Sequence, residues 1–176
     1  MPTHICLYLT LPPYLAQWYA NECREIAARN QDIVSNSVYT PLTPVAIPHG
    51  SQESRILQCF LKKQPANPAP TSPNANLAII IPSFPGKDPI YYNYLGHHAT
   101  LQLIDAIRNR FQVQLWQELH TFQNMLARQD HTIFAFMEAH AIECTETNWN
   151  AIAKIYQRQR QAYYTAKSRK KSKQSH

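Results

Sequence analysis

The sequence predicts an α+β fold: a small β-α-β-α-β N-terminal module followed by a three-helix C-terminal module with a long first helix. Two observations carry this. Short β-favouring apolar runs, residues 4–11 (HICLYLTL) and 77–81 (LAIII), punctuate the first half. From His97 onward the apolar residues instead recur at a helical period. The chain has 176 residues, 44% of them hydrophobic, enough for a core without disulfides or metal.

The first strand, 4–11, is ended by Pro12 and Pro13. Those prolines open a helix running to about Ala27, because a first turn tolerates the missing N–H. Leu15, Trp18, Tyr19 and Ile26 share its inner side, with Cys23 at the margin. Residues 30–44 read as an irregular connection. Residues 45–47 form a short edge strand, since the flanking prolines exclude a central place. Ser51 caps a second helix, 52–63, with Glu53 complementing its dipole and Ile56, Leu57, Phe60 and Leu61 at core spacing. Residues 64–76 (QPANPAPTSPNAN), with four prolines, are linker-like. The run 77–81 is apolar throughout and reads as a strand buried on both faces. Residues 82–96 are loop, with Tyr91, Tyr92 and Tyr94 clustered.

The helix from His97 carries the stripe Leu101, Ile104, Ile107, Phe111, Leu115, Leu119, Phe122 and Leu126, over roughly 28 residues or about 42 Å. Val113 and Trp116 fall off the stripe and, if exposed, mark a second contact surface such as a dimer seam. A further helix spans 132–140. The last begins near 145–147 and continues to about Lys167, leaving 168–176 (SRKKSKQSH) as an unstructured basic tail. The domain reading is 1–95 as a scaffold or interaction module and 96–176 as a helical, nucleic-acid-binding module.

Composition excludes several chemistries. Three glycines and the absence of GxGxxG or GxxxxGK[ST] argue against a phosphate-cradling loop. Cys6, Cys23, Cys59 and Cys144 are scattered as reduced thiols of a cytoplasmic protein would be. No apolar run approaches a membrane span, and the N-terminus lacks the features of a signal peptide. His97 and His98 point about 100° apart on a helix. His140 and Cys144 are separated by a helix end, so neither pair builds a metal site. In His49-Gly50-Ser51-Gln52-Glu53 the capping role accounts for the serine, and closeness in sequence is not triad geometry. Cys6 lies mid-strand, and Asp32, Asp88, Asp105 and Asp130 are isolated. The expectation is therefore a protein that is not an enzyme, with no cofactor and no metal.

Charge supplies the positive lead. Of 17 basic and 11 acidic residues, eight basic and no acidic ones lie in 151–176, which leaves 9 basic and 11 acidic before it. A positive field confined to one end attracts polyanions, and nucleic acid is the commonest partner of such an arm. On a helical wheel Trp149, Ile152, Ala153, Ile155, Tyr156 and Tyr163 fall on one arc, to pack on the other helices. Asn150, Lys154, Gln157, Arg158 and Gln161 fall on the other, with Gln159 and Arg160 astray on the apolar side. Cations contact phosphates or guanine, and Asn or Gln pairs with adenine, so this face suits duplex DNA. Arg169, Lys170, Lys171 and Lys173 would add phosphate contacts from the tail.

Residues 134–142 (FAFMEAHAI) and 148–160 (NWNAIAKIYQRQR) resemble the C-terminal region of small uncharacterised proteins of bacterial mobile elements. They are also similar to the helix-turn-helix pairs of simple transcription regulators, but Ala141 and Glu143 stand where those turns carry glycine. The resemblance covers 134–160 and carries over no functional residue; charge and the helix face point to a DNA-binding regulatory or architectural role, with the N-terminal module as a scaffold and a dimerisation or partner surface. The same helix face also suits plain solvation, a protein-interaction module of a mobile element, or an enzyme with its pocket between the two modules.

Overall fold

A computed structural model describes residues 4–29, 42–66, 72–123 and 129–174, with side chains omitted for 121–123, 129 and 170–174. The element order is β1 (Cys6–Leu9), α1 (Pro13–Arg29), β2 (Pro44–Ala46), α2 (Gln52–Phe60), β3 (Leu77–Ile80), α3 (His97–Gln123), α4 (Gln129–Ala139) and α5 (Glu146–Gln174). This is the predicted α+β arrangement, a small sheet module and a helical one.

The chain divides into two compact units, Met1–Asn109 and Arg110–His176, so the division falls inside α3 and not ahead of it at 95/96. The proline-rich 64–76 stretch lies within the first unit and does not separate the two. Its residues 67–71 are outside the described set. Its last residue is fastened: the Asn76 amide donates to the Leu11 carbonyl at 2.7 Å and accepts from the Leu11 N–H at 2.9 Å.

The sheet order is β1-β3-β2. β3 is central, antiparallel to β1 with Leu7 opposite Ile79, and parallel to β2 with Val45 opposite Ile79. Leu77, Ala78 and Ile79 are buried, as a strand apolar on both faces requires. Pro44, which has no N–H to donate, starts the edge strand β2. α1 lies against β2 and buries Leu15, Trp18, Tyr19 and Cys23, while Ile26 is only half-buried.

Ser51 caps α2 as expected, its Oγ accepting from the Ser54 N–H at 3.1 Å. The buried Glu53 sits in that first turn. The helix stops at Phe60, short of Lys63, because Leu61 turns to extended backbone. Leu61 is thereby buried, and Phe60 is left 42% exposed instead of in the core. Lys87 secures this end. Its Nζ donates to the carbonyls of Gln58 at 2.5 Å, Leu61 at 3.1 Å and Cys59 at 3.3 Å, meeting the negative end of the helix. A Phe84–Lys87 turn with Gly86 at φ +75° presents that lysine.

α3 runs unbroken through Phe111–Gln114. Ala99, Leu103, Ala106 and Ile107 are buried in its first-unit part, and Phe111, Leu115 and Leu119 in its second-unit part. Leu101, expected inside, is 45% exposed, and Ile104 is half-buried. Phe122 and Leu126 fall outside the described side chains.

Candidate nucleic-acid interface

The helical unit is organised by the corner between α4 and α5. α4 buries Ile133, Phe136 and Met137. It ends without glycine: Ala141 itself takes the left-handed conformation, φ +52°. The Ala141 N–H donates to Glu138 O at 3.2 Å and the Ile142 N–H to Met137 O at 2.8 Å. That pair of bonds defines a Schellman end, with its usual apolar partners, Ile142 and Met137, both buried. Thr145 then caps α5, its Oγ1 accepting from the Asn148 N–H at 3.2 Å. The buried Asn148 side chain donates to Glu143 O at 2.9 Å and holds the turn closed.

The apolar arc of α5 packs in part as its spacing predicts: Trp149, Ala153 and Ile155 are half-buried, and Tyr163 is 39% exposed. Ile152 and Tyr156 are buried. Trp149 meets Phe134 of α4 at 6.1 Å between ring centroids, and Tyr156 meets Trp116 of α3 at 6.0 Å. Trp116 also stacks on His120 at 4.6 Å and touches Tyr163 at 5.4 Å. Its indole is thus covered by the chain's own last helix, while its neighbour Val113 remains 56% exposed. Gln159, astray on the apolar arc, donates to Gln112 O at 2.8 Å. Arg160 lies 5.9 Å from the Tyr164 ring.

All five residues of the polar arc, Asn150, Lys154, Gln157, Arg158 and Gln161, are exposed, and so is Arg169. The side chains of Lys170, Lys171 and Lys173 lie outside the described residues. The backbone differs from expectation here: α5 does not end near Lys167 but continues to Gln174, so 168–174 is helix. Nothing after Glu146 breaks it, since 147–176 has no glycine or proline. Thr165 and Ser168, residues that compete with helical bonds, turn their hydroxyls back to Gln161 O at 2.8 Å and Tyr164 O at 3.0 Å.

That continuity aligns the site. Eleven residues make three turns and about 20°, which stacks Arg169 above Arg158 at about 16 Å along the axis. Between them Gln161, Ala162, Thr165 and Ala166 line a shallow groove of about 440 Å³. The small residues leave this side of the helix slender, with a cation at either end.

The histidine and cysteine candidates resolve into structure. His140 is buried, its Nε2 2.9 and 3.0 Å from the Glu118 carboxylate oxygens. Its ring also packs on Phe136 at 4.4 Å. His97 and His98 are exposed, in edge contact at 5.8 Å. All four cysteines are free thiols. Among the described residues no three His, Cys, Asp or Glu converge as metal ligands, and no helix is long and apolar enough to cross a membrane. Of the tyrosine cluster, Tyr91 is 64% exposed, whereas Tyr94 pairs its backbone with Lys62 and Tyr92 lies beneath the Lys63 ammonium.

The corner is acidic. Asp130, Glu138, Glu143 and Glu146 are all exposed on α4, the turn and the first turn of α5. α5 therefore begins acidic and ends basic. No protein-family model, curated protein or solved structure matches this chain.

Proposed function

We propose that this is a non-enzymatic DNA-binding protein of the cytoplasm, regulatory or architectural in role, that grips duplex DNA with the outer face of α5. The observation that carries the reading is the exposure of Asn150, Lys154, Gln157, Arg158, Gln161 and Arg169 along one continuous helix with no acid after Glu146. An α-helix fits the major groove, where Arg and Lys meet guanine or phosphate and Asn or Gln meets adenine. The helical course of 168–174 supports the tail's part in this, because Arg169, Lys170, Lys171 and Lys173 then extend the same rod.

The acidic corner sets the direction of approach. A helix-turn-helix docks through the first residues of its second helix. Here that tip carries Glu143 and Glu146 and would meet phosphates unfavourably. Contact is instead centred beyond Asn150, towards the basic end.

The test is a titration of a labelled duplex with the full chain and with Lys154→Ala/Arg158→Ala. Both substitutions are exposed and put the best helix former in place, so folding is retained. Loss of about 1–3 kcal/mol of binding is the expected result if the pair reads bases or phosphates. Equal binding by the variant removes this face from the interface.

A further inference from the structure

The corner of α4 and α5 forms an open pocket whose chemistry opposes that of the outer face of α5. Asp130, Phe134, Cys144, Thr145, Glu146 and Trp149 line its volume of about 490 Å³. Two rings form its walls: Phe134, 48% exposed, and the half-buried Trp149, inclined at 31° to each other. Two exposed carboxylates, Asp130 and Glu146, stand among its lining residues. Aromatic faces attract cations, and a carboxylate pairs with them. An ammonium or guanidinium on an aliphatic stem satisfies both the walls and the carboxylates. An anion satisfies neither.

The chain itself carries the complementary charge. Residues 110–150 hold five acidic and two basic side chains, and 151–176 hold eight basic and none acidic. Along α5 itself the acidic start and the basic end are held apart, because α5 is a single helix. Glu146 and Arg169 stand 23 residues apart on it, about 35 Å at the helical rise. From Gln161 to Arg169 every side chain is exposed, although Tyr163 also packs against Trp116 and His120 of α3, so the cations of this end stand at the surface.

We propose that a second copy of this chain occupies the pocket, seating a lysine or arginine from the basic end of its α5 between the rings and the carboxylates. The proposal stands apart from the DNA reading, and its test contains no nucleic acid. The same arm serves both contacts, so each would mask the other.

The experiment is sedimentation equilibrium of the full chain at low and high salt, with three variants at low salt. Asp130→Lys/Glu146→Lys reverses the pocket, Lys167→Glu/Arg169→Glu reverses the arm, and the third carries all four changes. The expected result is self-association that weakens by at least about tenfold in high salt, as screening of exposed charges requires. Each double variant weakens it similarly, and the combined variant recovers it. Phe134→Ala, which removes an exposed ring without touching charge, lowers association severalfold while thermal melting reports an intact fold. A chain monomeric at every concentration and salt overturns the proposal. So does a dimer that both reversals leave unchanged.

Discussion

Ala141→Gly should stabilise the protein, an unusual direction for a substitution that removes a methyl group. Ala141 adopts φ +52°, and the α4 end depends on it through the Ala141–Glu138 and Ile142–Met137 backbone bonds. For a residue with a Cβ, the left-handed region costs about 1–2 kcal/mol. Glycine removes that strain but adds freedom to the unfolded chain, worth about 0.4–1 kcal/mol in the opposite sense. The net gain is about 0.5–1 kcal/mol, or about 1–4 °C in melting temperature for a chain of this size. Urea unfolding followed by circular dichroism should show a higher midpoint with unchanged slope. Ala139→Gly is the matched control. It is the last residue of α4, in helical backbone, and should lose about 0.5–1 kcal/mol. Two alanine-to-glycine changes two residues apart thus have opposite signs. Destabilisation by both would refute the left-handed turn and, with it, the path of the chain into α5.

Three further outcomes follow from other contacts. Lys87→Met should cost about 1–2 kcal/mol in urea unfolding, because three carbonyls at the end of α2 lose a charged donor; no loss would mean that water replaces the ammonium fully. Leu103→Ala should cost about 2–5 kcal/mol and Leu101→Ala little, since the first side chain is wholly buried and the second 45% exposed; similar costs would contradict the orientation of α3. Burial pushes the Tyr156 phenol above its ordinary value of 10.0, partly offset by the Arg160 charge. The folded chain therefore favours the neutral phenol, so its stabilising effect is intact below that ordinary value and is lost as pH rises through the raised one. Tyr156 Oη is buried with no hydrogen-bond partner among the described residues. Tyr156→Phe should thus be neutral or slightly stabilising at neutral pH and should blunt the alkaline loss seen by circular dichroism. An unchanged alkaline transition would assign the loss to other groups.

The local signals were legible where one physical rule dominates. Proline in 44–48 placed β2 at an edge, unbroken apolarity marked β3 as a strand buried on both faces, and Ser51 marked the start of α2. The face of α3 was less legible because its buried line steps by four, from Leu103 through Ile107, Phe111 and Leu115 to Leu119. Such a row is inclined to the helix axis, so a stripe drawn parallel to the axis admits Leu101 and omits Leu103. The tail was read as unstructured because it lacks apolar periodicity. Its helix instead follows from strong helix formers, Arg169, Lys170, Lys171, Lys173 and Gln174, with no glycine or proline to stop it. The exposed face of α5 was readable from spacing alone. The acid-aromatic pocket was not, since Asp130 and Phe134 meet Glu146 and Trp149 only through a turn shaped by one left-handed alanine.

The most direct test of the account is the salt dependence of duplex binding, measured by fluorescence anisotropy with the full chain. Three cations on the described outer face, Lys154, Arg158 and Arg169, each release a counterion when they meet a phosphate. They set a slope of log K against log salt of about −2.7, steeper with contacts from Lys170, Lys171 and Lys173. Lys154→Ala/Arg158→Ala should flatten that slope by about 1.8. A slope of that size, reduced by that pair, is the predicted result. Absence of binding at low salt, or a slope that the pair leaves unchanged, would contradict the claim that the outer face of α5 is a nucleic-acid interface.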